Sequence, residues 1–195
     1  SIVCHFCLEK ESIQQDRAIR ASKFHTSIQF MDDGRLIMQT HTTSPAPAHP
    51  AWIPESYVNH QWESFQGSEV FVVDPDKGIV QSKGILSPYS SCYGGAYSTR
   101  AKLFFGIGIF DGYGYVYDLA SGAAACIGQV TDGRSNRLIE GPDGHIYYGT
   151  ATGHLARLNV DSRHIEILAK VRENSPLRHG VFDHNGVLWF SARSG

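Results

Sequence analysis

The chain repeats one pattern of apolar and polar positions. An acidic or polar residue and a glycine precede a short run of alternating apolar residues, and a second glycine and a second alternating run follow after a break. The pattern occurs at 33–38, 143–149 and 183–190, and a copy that has lost the turn glycine lies at 100–106. Alternation between glycine and aspartate turns predicts half-buried antiparallel strands. We therefore expect an all-β protein.

The spacing of these copies predicts a β-propeller. The last two clear copies lie about 42 residues apart, and the degenerate copy lies a similar distance upstream, which is the length of one four-stranded blade. Blades are expected at about 23–84, 89–130, 134–170 and 177–195, with only two strands in the last. Three and a half to four blades indicate part of a larger propeller, or a piece that self-associates to cover its open ends.

Residues 1–22 precede the first predicted blade and have a different pattern. Residues 1–6 suit an outer strand that would close a small four-bladed ring. Residues 9–23 place Ile13 and Ile19 among charged residues, which favours a helix. The segment is therefore expected to be partly helical or to contribute a blade-closing strand.

Composition and charge argue against two classes of partner. The 195 residues are 42% hydrophobic and include 20 glycines, which suits a glycine-turned β protein with a sizeable core. No apolar stretch is long enough to cross a bilayer, and no secretory leader is recognisable. The formal charge of −2 comes without a lysine or arginine cluster. We expect a soluble protein that binds neither membrane nor nucleic acid.

The first predicted blade carries a proline-rich loop at 41–63. The loop holds three of the ten histidines and two of the three tryptophans. Indole rings stack on pyranose rings while polar groups pair with hydroxyls, so this composition suits a sugar-binding cleft. The alternative is a loop whose tryptophans pack over the blade edge. The candidate substrate contacts are His49, Trp52, His60 and Trp62.

Strand pairing is expected to bring two histidines together. A turn centred near position 33 sets His25 on the innermost strand nearly opposite His41 on the next strand. The two imidazoles would then face one another near the propeller mouth. The alternative is that they are solvated at the strand ends or satisfied by neighbouring carbonyls.

The same offset from the other turns identifies equivalent positions in the later blades. These positions are Tyr93, Ser135 and Leu177. Innermost strands line the propeller axis, so their side chains are expected to converge on one funnel with His25. The polar residues that flank these positions are Arg134, Arg137, Arg178 and His179.

The loop at 48–68 and the segment at 91–97 resemble propeller polysaccharide lyases of the ulvan-lyase type. The likeness covers about residues 23–170. It implies cleavage of a uronic-acid-containing polysaccharide by β-elimination, and a secreted or periplasmic protein, with a cytoplasmic location left open. The resemblance assigns the histidine positions to His25 and His41, or to His49 in place of one of them, and the tyrosine position to Tyr93.

The residue types suit this chemistry independently. Elimination removes the proton at C5 and expels the C4 oxygen, so it needs a base, an acid and neutralisation of the carboxylate. Histidine, with a pKa near ~6.5, serves as base, and tyrosine, near ~10, serves as acid. The family pattern places an arginine across the hairpin from the tyrosine, where this chain has Ile109 and Phe110. The carboxylate would therefore be neutralised by Arg134, Arg137 or Arg178.

Two other functions and a metal remain alternatives. A non-catalytic propeller would bind a glycan or a protein over the same mouth, and a sugar lactone hydrolase would need a metal. Cys4 and Cys7 have metal-type spacing but form half of a site, and Cys92 beside His25 or His41 is a candidate for a mixed zinc site. Zinc and calcium both stay open as cofactors.

Overall fold

The computed structural model describes residues 2–7, 12–18, 23–41, 67–88, 90–109, 111–131, 135, 137–173 and 177–192. Every regular element in these ranges is a β-strand, which confirms the all-β prediction. No helix of the described residues has the length and apolarity needed to span a bilayer. The strands are β1 (Ile2–Cys7), β2 (Ser12–Ala18), β3 (Lys23–Phe24), β4 (Gln29–Phe30), β5 (Leu36–His41), β6 (Gly67–Asp74), β7 (Ile79–Pro88), β8 (Cys92–Ser98), β9 (Leu103–Gly108), β10 (Tyr113–Asp118), β11 (Ala124–Gln129), β12 (Leu138–Glu140), β13 (Ile146–Gly149), β14 (His154–Asn159), β15 (His164–Lys170), β16 (Leu177–Phe182) and β17 (Leu188–Ala192).

The strands assemble into blades of antiparallel, sequentially connected strands. Blade 1 contains β3 to β7, with the short strands β3 and β4 both paired to β5. Blade 2 contains β8 to β11, blade 3 contains β12 to β15, and blade 4 contains the hairpin of β16 and β17. The blade limits agree with the predicted ones to within a few residues, including the two-stranded fourth blade.

The helix expected within residues 9–23 is wrong. Strands β1 and β2 form a separate two-stranded sheet in which Phe6 lies opposite Ile13. The glutamines, arginine and alanine of β2 have good helix propensity, but pairing with a neighbouring strand outweighs a preference of a few tenths of a kcal/mol per residue. The described part of the segment is therefore a pair of antiparallel strands.

The repeated glycine marks the same turn in each clear copy. In the left-handed region of the backbone, φ is 83° at Gly34, 79° at Gly144 and 76° at Gly186. The degenerate copy places Lys102 in that region, with φ of 55°. Ala101 takes the position of the lost glycine and the turn is one residue shorter, so the left-handed residue lies one position nearer the strand, at the conformational cost of a non-glycine residue.

The core lies between the blades. On β9, Phe104 belongs to the cluster between blades 1 and 2, whereas Phe105 belongs to the cluster between blades 2 and 3, because successive side chains on a strand point to opposite faces. Every residue of β9 is buried. Blade 4 is less covered, since Val181 is 58% exposed and Trp189 is 60% exposed.

Blade 4 approaches blade 3 most closely where Leu177 packs over Gly149. A Cβ atom at position 149 would lie against the Leu177 side chain and 2.9 Å from the Leu177 carbonyl oxygen. At position 180, by contrast, a Cβ atom would come no nearer than 3.4 Å to Leu188. Glycine is therefore required sterically at 149 and not at 180.

We predict that Gly149→Ala lowers the free energy of unfolding by about 1–3 kcal/mol, because the added methyl group forces the inner strand of blade 4 away. Gly180→Ala is the matched control and should change stability by less than about 0.5 kcal/mol. Urea unfolding followed by tryptophan fluorescence measures both values. Equal stability of the two variants would contradict this account of the interface.

Candidate active site

The innermost strand of blade 1 is interrupted by a four-residue bulge. The pairs on β4 are centred on position 33, as predicted. Beyond the interruption Lys23, and not His25, lies opposite His41, so the predicted pairing of the two histidines is wrong. The four residues 25–28 span only two residues of β5, which shifts the register by two.

Ser27 stabilises this bulge. Its side chain is fully buried, and its hydroxyl donates to the carbonyl oxygen of Gln39 at 3.1 Å. The same hydroxyl oxygen accepts the backbone N–H of Gln39 at 3.2 Å. One side chain thus satisfies both backbone groups of Gln39 that an uninterrupted strand would have paired.

Two glutamines, one on the bulged strand and one on β5, join blade 1 to β8 of blade 2. Gln29 donates through Nε2 to the carbonyl oxygen of Gly95 at 3.1 Å and accepts the backbone N–H of Tyr97 at 2.9 Å. Gln39 is fully buried and donates through Nε2 to the carbonyl oxygen of Gly94 at 3.1 Å. These contacts hold residues 25–28 against the strand that carries Tyr93.

His25, His41 and Tyr93 come together as predicted, although by a different register. The ring centroids of His25 and Tyr93 are 3.8 Å apart at an interplanar angle of 40°. His41 makes edge contacts with both, at 5.7 Å from His25 and 5.1 Å from Tyr93. His41 is fully buried, whereas His25 and Tyr93 are half-buried. The two half-buried rings are accessible to a ligand, and His41 lies beneath them.

The tautomer of His41 follows from its neighbours. Its Nδ1 lies 3.1 Å from the carbonyl oxygen of Cys92 and 2.9 Å from the hydroxyl of Ser91. A carbonyl only accepts hydrogen bonds, so Nδ1 carries the proton and donates it to Cys92. In the neutral ring the lone pair then resides on Nε2, and the ring orientation is fixed by the loop that precedes β8.

The predicted arginine-flanked positions lie elsewhere. Arg137 and Arg178 line a cleft between blades 3 and 4, together with Gly149 and Leu177. His179 is exposed and has a φ of 40°. The described candidates thus fall into a His–His–Tyr cluster between blades 1 and 2 and an arginine-lined cleft between blades 3 and 4, and their convergence on one funnel stays a prediction.

Several other candidates lie outside the described residues. These are His49, Trp52, His60, Trp62 and Arg134. Cys4 and Cys7 lie on β1, where only the backbone is described. Ser135 is buried. Across the hairpin from Tyr93, Ile107 lies opposite Gly94 and Gly108 lies opposite Cys92, so the described partners of this part of β8 carry no arginine.

Cys92 is not suited to the mixed zinc site considered from the sequence. Its thiol is buried and donates to the hydroxyl of Ser87 at 3.3 Å. Burial raises the pKa of the Cys92 thiol to about 12, whereas zinc binds the thiolate. Among the described residues, no three His, Cys, Asp or Glu side chains gather as metal ligands.

The residues that sequence reasoning missed are those that position the cluster. The repeat pattern indicates no role for Ser27, Gln29 and Gln39, and Ser91 lies in the segment that carries the resemblance without a role of its own. The available signal was a polar residue within an apolar strand, as Gln39 is within the Leu36–His41 strand. Such a residue is buried only if it is hydrogen-bonded.

The chain matches no family model and no curated protein sequence. Solved structures do match. One is virginiamycin B lyase from Staphylococcus aureus with quinupristin, with a TM-score of 0.68 and 13% identity; the match covers 97% of this chain and 55% of the lyase. YCF48 bound to a D1 peptide gives a TM-score of 0.60 at 13% identity over 98% of this chain and 54% of YCF48. The fold is a β-propeller.

A third similar structure is an auxiliary nutrient binding protein from Bacteroides thetaiotaomicron, with a TM-score of 0.56 and 13% identity, covering 95% of this chain and 46% of that protein. The chain thus spans about half the length of the solved propellers that it matches. Identities this low establish the fold alone. The similar propellers include both a lyase and binding proteins.

The buried Cys92 thiol generates a prediction about alkaline stability. Because the folded state binds the thiol proton more tightly than the unfolded state, stability falls as pH rises from about 9 to about 12. This one group lowers the free energy of unfolding by up to about 1.4 kcal/mol per pH unit within that window. Cys92→Ala should therefore show a shallower decline in urea unfolding experiments between pH 8 and pH 11.

Cys126 is exposed and provides the matched control. Cys126→Ala should retain the alkaline decline of the unsubstituted chain. Tyr115, whose pKa is also raised to about 12 chiefly by burial, titrates in the same range in all three proteins, so the comparison is made on the difference between the curves. Parallel curves for the unsubstituted chain and Cys92→Ala would show that the thiol is not the titrating group.

Proposed function

We propose that this protein is a polysaccharide lyase that cleaves uronic-acid-containing glycans by β-elimination. The observation that carries the proposal is the convergence of three rings, whose centroids lie within 5.7 Å of one another. His25 comes from the bulge of blade 1, His41 from β5 and Tyr93 from β8 of blade 2. These residues supply a base and an acid at adjacent positions. A secreted or periplasmic location would suit a polymeric substrate of this kind.

Exposure assigns the roles. His25 and Tyr93 are half-buried and contact the substrate, so they are the proposed catalytic residues. His41 has no accessible surface and is a positioning residue that holds both rings from beneath. This refines the sequence-based expectation that both histidines act directly on the sugar.

The reaction balances with these two groups. Neutral His25 takes the proton from C5, the electron pair left on C5 forms the C4–C5 double bond, and the C4–O bond breaks. The departing oxygen takes the hydroxyl proton of Tyr93. His25 then returns its proton to the tyrosinate, whose ring centroid is 3.8 Å away, and both residues regain their starting states.

Neutralisation of the substrate carboxylate is the remaining requirement. Arg134 and the loop residues His49, Trp52, His60 and Trp62 are proposed to contact the substrate, on the basis of their residue types and positions in the sequence.

An alternative function is that of a propeller that binds a glycan or a peptide without cleaving it. The binding proteins among the similar structures favour this second candidate.

Tyr93→Phe should reduce formation of the unsaturated sugar to less than about one thousandth, because it removes the acid without removing the ring. The assay follows the near-ultraviolet absorbance of the conjugated double bond on a panel of uronate polysaccharides, with and without chelator. Tyr113→Phe is the control, since Tyr113 is an exposed tyrosine elsewhere in blade 2. Retained activity in Tyr93→Phe would remove Tyr93 from the mechanism, and saturable binding without product would favour the binding protein.

His41 and His25 should respond differently to asparagine. The side-chain N–H of asparagine can replace Nδ1–H of His41, so His41→Asn should keep more than about a tenth of kcat with an unchanged pH profile, whereas His41→Phe should lose at least tenfold. His25→Asn removes the base and should abolish turnover. Complete loss in His41→Asn, with its thermal unfolding unchanged, would make His41 the base instead.

A further inference from the structure

A second cleft lies between blades 3 and 4. Its water-accessible volume is about 20 Å³, so it is a shallow cleft that admits a group the size of a carboxylate rather than a whole sugar. Arg137 and Arg178 line it together with Tyr147, Leu155 and Phe190, and no described lining residue is acidic. The cleft therefore combines positive charge with an aromatic and aliphatic wall.

Arg178 is the polar group that calls for a ligand. Its Nε atom is buried and has no hydrogen-bond acceptor among the described residues. A buried N–H donor without an acceptor is costly, and a carboxylate matches the donor fork of a guanidinium in a bidentate arrangement. The missing partner is thus expected to be an anion with planar oxygen geometry.

The tyrosines of the cleft contribute their rings rather than their hydroxyls. Tyr148 donates its hydroxyl to the carbonyl oxygen of Val130 at 3.0 Å, and Tyr147 donates to the carboxylate of Asp143 at 2.8 Å. Tyr148 is buried, so the half-buried Tyr147 ring and the partly exposed Phe190 are the aromatic surfaces available for packing. Such surfaces stack against the C–H face of a pyranose.

The cleft and the His–His–Tyr cluster lie at the same end of the propeller. Each complete blade has four antiparallel strands in sequence, so the innermost strands of successive blades run in the same direction. Tyr93 is the second residue of β8 and Arg178 is the second residue of β16. One extended ligand can therefore approach both places from one side.

We infer that the cleft between blades 3 and 4 is a subsite for the carboxylate of an acidic sugar, held by Arg178 with Arg137 and packed on the aromatic wall. The assignment of the ligand to a sugar rests on the proposed function. In that setting the cleft holds the carboxylate of a uronate residue other than the one being cleaved. Binding of that second uronate residue would make the protein prefer a polymer to a single sugar.

The test is a ligand-observed NMR titration with sodium glucuronate. The unsubstituted chain and Tyr93→Phe should bind it equally, whereas Arg178→Gln should weaken binding at least tenfold and Arg178→Lys several-fold, since lysine keeps the charge but loses the fork. Arg100→Gln is the control, because Arg100 is an exposed arginine paired with Asp161 outside the cleft. Thermal unfolding checks that each variant is folded.

Neutral glucose and benzoate identify what the cleft recognises. Glucose should bind at least tenfold more weakly than glucuronate, and benzoate should bind no more tightly than glucuronate. Equal binding of glucuronate to folded Arg178→Gln, equal binding of glucose, or tighter binding of benzoate would each overturn the inference. Arg178-dependent glucuronate binding without cleavage of any uronate polymer would support the subsite and overturn the lyase.

Discussion

The site depends on one interaction, the bridge that Gln29 makes between blades 1 and 2. Neighbouring propeller blades pack through side chains, so the relative height of their innermost strands is not set by a continuous backbone ladder. Gln29 supplies a substitute, since its amide pairs with the carbonyl of Gly95 and the N–H of Tyr97 as an adjacent strand would. Its position fixes the strand that carries Tyr93 against the bulge that carries His25.

The bulge and the bridge are coupled. Residues 25–28 fit opposite only two residues of β5 because Ser27 satisfies both backbone groups of Gln39. The side chain of Gln39 in turn donates to the carbonyl oxygen of Gly94 in blade 2. Loss of either buried contact would leave polar groups without partners in a region of low dielectric constant, which is a larger penalty than the bonds themselves return. The described contacts that hold the cluster of rings are therefore a buried polar network.

The blades and turns were predictable because they are local and repeated. Alternation predicts the strands, and a left-handed residue recurs in the turn even where the glycine is lost, at Lys102 one position nearer the strand. The bulge at 25–28 was not predictable, since a two-residue register shift leaves the apolar pattern of β4 and β5 intact. Likewise, the helix propensity of β2 describes an isolated segment and contains no information about its partner β1. The approach of His25 to Tyr93 was predicted, but only the structure gives its cause.

Arg178 lies in an interblade cleft other than the one beside His25, so it offers a second place where a substrate carboxylate can bind. A polymer can use both places at once, and binding energy gained at the distant carboxylate then contributes to orientation at the reacting sugar. A single sugar cannot make this use of the surface.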